Sequence, residues 1–144
     1  MALEHVKRWK IGEVEVIRIV ELFDFKDDVW VLLKDATPDH RITDEVSLVP
    51  TPGHTQGHVS IHISSGGQEA VITGDVVHHP VQLAEPDWTN NFDMDDLAGR
   101  ATRRALFERY ADTQVKVIAN HFFDPTSGRI LKDGDAWKFE ADEV

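Results

Sequence analysis

Three stretches of the chain follow one grammar, a short apolar run that ends in a turn carrying a side chain able to grip a metal ion. His54 sits in the segment PTPGHTQGH (50–58), Asp75 follows AVITG (70–74), and His121 follows VKVIAN (115–120). Two imidazoles and a carboxylate suit a borderline divalent ion such as zinc, with iron or manganese also accommodated. A carboxylate just past a buried strand is expensive to leave unpaired, which favours a working role for Asp75. Absence of cysteine removes disulfides, thiolate ligands and a cysteine nucleophile together.

The remaining histidines divide by context. His58 stands four residues after His54, the offset of a helical zinc pair, but Pro52 and Gly57 oppose a helix there. A structural role in the turn is expected for it. His78 and His79 lie close enough to Asp75 to act behind the ligands or to replace a missing one. His5, His40 and His62 are expected in solvent.

These side chains need strands to hold them. Alternation in 59–63 (VSIHI) marks a half-buried strand, 46–49 and 70–73 read as its neighbours, and SSGG (64–67) turns the chain back. An antiparallel meander with candidate ligands at its ends results. Prolines and glycines in 50–58 restrict or permit backbone angles so that the histidines sit on a determined loop. Residues 7–22 read as two strands joined at Gly12 and Glu13, the second apolar on both faces and so expected inside a sheet. The run 29–33 is open to either strand or helix, and 34–45 reads as a surface connection.

Residues 75–92 form an irregular segment long enough to cover a site, where Trp88 and Phe92 either line a pocket or pin the loop. The spacing predicts a helix over 93–111 with Asp93 as N-cap. Met94, Leu97, Ala98, Ala101, Ala105 and Leu106 form its sheet-facing stripe, while Arg100, Arg103, Arg104, Arg109 and Glu108 face water. A final hairpin pairs 128–131 with 136–139 across Asp133 and Gly134.

At 144 residues the chain fits one domain, 1–144. Twenty-six acidic against fifteen basic residues give a net charge of −11, which repels phosphate backbones and excludes nucleic acid as an expected partner. The first residues lack the apolar core of a signal peptide, and no apolar run approaches a membrane span. Cytoplasmic residence without membrane contact is the expectation.

PTPGHTQGH, VITGDVVHH and ANHF together resemble, in order and approximate spacing over residues 46–139, the second half of the metallo-β-lactamase superfamily of metal-dependent hydrolases. GDVVHHP leans towards its lactonase-like and organophosphate-hydrolase-like branches. The resemblance implies an α+β fold, a truncated form of that family's αββα architecture, with a mainly antiparallel sheet flanked by one long helix. It implies metal ligation by His54, Asp75 and His121, with Asp75 bridging two ions as the catalytic carboxylate; His58, His78 and His79 are, by their own context, the candidates to stand behind these ligands. It also implies that metal-bound water attacks an ester, lactone or similar bond in a small-molecule substrate.

The family's first-half motif HxHxDH, which supplies four ligands, is absent. The chain therefore reads as an opening hairpin (1–25) joined near residues 25–29 to a second-half region (29–144). One zinc ion is expected, two only if further ligands are supplied. The outcomes are one ion shared by His54, Asp75 and His121, ligands donated by a second chain, or no metal and no activity. A lone half exposes an apolar face, so a homodimer or larger assembly is expected. The alternative to an enzyme is a non-catalytic module that self-associates or binds a partner.

Overall fold

A computed structural model of the chain describes residues 7–18 and 40–143. The expected junction at 25–29, the run 29–33, His5 and the first half (34–39) of the 34–45 connection lie outside them. Strands β1 (Lys7–Ile11) and β2 (Val14–Arg18) form a hairpin. After it come β3 (His40–Arg41), β4 (Val46–Pro50), β5 (Val59–Ser65) and β6 (Gln68–Ile72). A 3-10 turn (Gly74–Val76), a short helix α1 (Val81–Ala84) and the long helix α2 (Asp96–Tyr110) lead to β7 (Lys116–Ile118), β8 (Ser127–Asp133) and β9 (Ala136–Ala141).

The seven later strands make one sheet in the order β3-β4-β5-β6-β7-β8-β9. All its neighbours are antiparallel except β6 and β7, which run parallel through the crossover that contains α2. The architecture is α+β, mainly antiparallel, with one long helix, as expected.

Alternation along β6 shows how the sheet acquires two apolar faces. Val71 joins Val117, Ile130 and Trp137 beneath Leu83, Leu106, Phe107 and Tyr110 of the helices. Ala70 and the half-buried Ile72 turn to the opposite face, against Ile11 and Val16 of the hairpin. Full burial of a residue such as Phe107, with no exposed surface, contributes about 1.5–3 kcal/mol. β2 departs from its expected place inside a sheet. Among the described residues it pairs with β1 alone, and Ile17 is 44% exposed, because the hairpin lies across the sheet as a separate layer. Trp9 fastens that layer by donating to Ser127 Oγ at 3.0 Å.

Helix α2 starts later than expected and turns a different face inward. Asp95, not Asp93, caps it by accepting from the Ala98 amide at 3.0 Å. Gly99, Arg103, Leu106, Phe107 and Tyr110 are buried, whereas Ala101 and Ala105 are exposed and Leu97 is 77% exposed. Arg103 is thus inside, contrary to expectation. His62 is also drawn in, its half-buried ring stacked on Tyr110 at 6.5 Å. The Trp88 and Phe92 side chains are largely exposed, at 58% and 75%. No helix of the described residues is long and apolar enough to cross a membrane.

Candidate metal centre

His54 is delivered by a loop pressed against the start of α2. The Met94 amide donates to the carbonyls of Gly53 and His54, each at 3.2 Å, the Asp95 amide donates to Gly53 O at 3.0 Å, and Thr102 Oγ1 donates to Pro52 O at 2.7 Å. Gly53 has φ of 138°, and a Cβ there would lie 2.3 Å from Gly99 Cα. Only glycine permits so close an approach at that angle.

Asp75 is placed by His58. Nε2 of that imidazole accepts from the Asp75 amide at 2.8 Å, while Nδ1 meets Thr51 O at 3.0 Å and Thr51 Oγ1 at 2.8 Å. The ring is therefore a neutral brace between the two strand ends. Burial lowers its pKa, outweighing the charge of Asp75 that would raise it. His58 thus acts on the turn, in line with the role its glycine-flanked context suggested.

His121 arrives through the parallel pairing of β6 with β7, the one such pairing among the described residues. Ile72 and Ile118 are register partners, so residues three beyond each emerge at the same edge. His121 Nε2 lies 2.8 Å from Asp75 Oδ1, and His54 Nε2 lies 3.6 Å from Asp75 Oδ2. The three candidate ligands therefore meet around one carboxylate, from segments as far as 67 positions apart in the sequence (121 minus 54). Hydrogen bonding to His121 is the main reason the Asp75 carboxyl is held below the ordinary carboxylate range.

His78 joins them. Its ring stacks on His121 at 4.6 Å, and Asp75, His78 and His121 offer ligand atoms that all lie within 4.8 Å of one another. Burial, then the neighbouring His121, pushes the His78 pKa down. His79 is exposed, and its Nδ1 accepts from the Val81 amide at 3.0 Å at the start of α1, so it serves that turn. Two or three imidazoles about a carboxylate, half-open to water, fit a catalytic ion that takes three protein donors and leaves a position free.

Sequence reasoning missed a buried network behind this cluster. The Asp93 side chain, 1% exposed, accepts from Arg103 at 3.3 Å, meets His54 Nδ1 at 3.2 Å and accepts from Asn90 Nδ2 at 3.0 Å. The same Asn90 nitrogen lies 3.1 Å from His78 Nδ1. Asp93, Asp95 and Asp96 are three acidic residues at one helix start. That surplus over the single residue a cap needs was the available signal.

Comparison with known proteins bears on the family and the fold. The family model described as the metallo-beta-lactamase superfamily matches residues 12–120. A probable metallo-hydrolase of Mycobacterium tuberculosis is 24% identical over 114 residues, covering 72% of this chain and 36% of that protein. The chain spans about a third of the length of the curated relatives it matches. Among solved structures, the dizinc quorum-quenching lactonase AidC superposes with a TM-score of 0.70 at 22% identity, over 75% of this chain and 37% of that one. The hydrolase AbOPH of the beta lactamase superfamily gives 0.66 at 25%, over 71% and 36%. A probable metal-dependent hydrolase from Staphylococcus aureus gives 0.59 at 20%, over 74% and 39%.

Proposed function

The chain belongs to the metallo-β-lactamase superfamily, and from that premise we propose that it is a metal-dependent hydrolase acting on an ester, lactone or similar bond. The observation that carries this reading is the meeting of His54 and His121 on the two oxygens of Asp75. These three residues would hold a divalent ion, zinc by the softness of the donors. When bound, such an ion lowers the pKa of its water towards neutrality and polarises a substrate carbonyl. His58 fixes the turn that carries Asp75, and the half-exposed carboxylate and His121 ring leave the centre open to a small substrate.

With three donors supplied by these residues, one ion is favoured over two. The test is metal analysis of protein purified without added metal, followed by lactone and ester hydrolysis assays. Zinc near one equivalent and turnover abolished in Asp75→Ala and His54→Ala are expected. Activity unchanged in both variants would remove the proposal.

A second reading is a self-associating module without catalysis. Exposed apolar residues that flank the centre in sequence favour it, Phe92 at 75%, Leu97 at 77% and Phe123 at 86%. Light scattering at micromolar concentration separates the readings: a dimer with no bound zinc supports the module, and a zinc-loaded monomer removes it.

A further inference from the structure

We propose that Asp93 and Asn90 are positioning residues that set opposite ring tautomers on His54 and His78, making the first a ligand and withholding the second. Only the consequence for ligation rests on the metal reading above. The assignment follows from which atoms can donate.

Asn90 Oδ1 accepts from the Phe92 amide at 2.7 Å, which fixes the side-chain amide with its nitrogen towards Asp93 and His78. Turning the amide over would set oxygen against carboxylate and nitrogen against an N–H. Asn90 Nδ2 therefore donates both to Asp93 Oδ1 and to His78 Nδ1. Neutral His78 then carries its proton on Nε2 and has no lone pair left for an ion.

Asp93 acts in the opposite sense on His54. A carboxylate only accepts, so His54 must carry its proton on Nδ1, which leaves Nε2 bare on the side of Asp75. Arg103, 1% exposed, holds the other Asp93 oxygen and donates to Val76 O, Pro86 O and Trp88 O at 3.0, 2.9 and 3.0 Å. The carboxylate therefore has no freedom to turn away. Proximity alone groups His78 with Asp75 and His121, but the hydrogen bonds behind the rings select His54.

Long-range proton–nitrogen correlation spectra of labelled histidine in the metal-free protein report tautomers directly, at about pH 8.5 where imidazoles are neutral. His54 is expected as the Nδ1–H form and His78 as the Nε2–H form. Asn90→Ala should convert His78 to a mixture and leave His54 unchanged. Equal tautomers on the two rings, or a His78 signal indifferent to Asn90→Ala, overturn the proposal. Calorimetric zinc titration adds a second readout, in which Asp93→Ala lowers affinity about 10–100-fold. Unaltered affinity counts against the role given to Asp93. Should the native protein take no zinc while the tautomers are as assigned, the hydrolase reading fails and the positioning assignment stands.

Discussion

Arg103 and Arg104 are neighbours on one helix and each meets an aspartate, yet the two regions they occupy differ in everything except charge. Arg104 reaches Asp87 through two contacts, 3.0 and 2.7 Å, with side chains 46% and 56% exposed. Arg103 reaches Asp93 through one contact of 3.3 Å, with both side chains 1% exposed. By distance the outer pair is better made. Water reverses the ranking, because an exposed pair exchanges one set of good contacts for another, whereas a buried charge without its partner has nothing to replace it. Arg103 also holds three carbonyls of the 76–88 segment, so the inner pair ties the site-bearing loop to the helix.

The largest effect that could break this contrast is expected for Arg103→Leu, which strands the Asp93 carboxylate and should cost about 3–5 kcal/mol. Urea unfolding measures it, and a midpoint equal to that of the native chain would refute the contrast. A smaller effect extends the argument to His58, where burial also outweighs a nearby opposite charge. Its folded pKa lies below its ordinary value of 6.5, so the unfolded chain binds the proton first. Stability is therefore full above that value and lost as pH falls towards the folded pKa. Thermal midpoints should decline as pH falls below about 6.5, with a shallower slope in His58→Gln. Equal slopes would show that the brace contributes nothing in that range. Smallest of all is Arg104→Ala, expected to leave the melting midpoint within the error of the scan. A clear drop would mean that the outer pair is more than a solvated contact.

Local patterns carried much of this fold. β5 was legible because period-two alternation is written in five consecutive residues, and the closing hairpin because Gly134 punctuates it, although the two turning residues are Gly134 and Asp135, one position later than expected, with Asp133 paired to Ala136. The orientation of α2 was not, since Leu97 and the alanines supply an apolar stripe as good as the real one. What selects the real face is Gly99 beneath Gly53 and the carbonyls that receive Arg103, and those lie tens of residues away. The candidate site divides similarly. His54, Asp75 and His121 each announce themselves at a strand end, whereas Asp93 resembles any helix cap until the fold assigns that task to Asp95.

The parallel seam between β6 and β7 has a thermodynamic corollary. It brings Asp75 and His121 together across 46 positions of chain, so a cation gripped by both would work as a clasp on the crossover, absent wherever the seam has not formed. Mass action would then raise resistance to unfolding by about 2.7 kcal/mol at a hundredfold excess over Kd. Occupancy of the centre and completion of the sheet would be two readings of a single equilibrium.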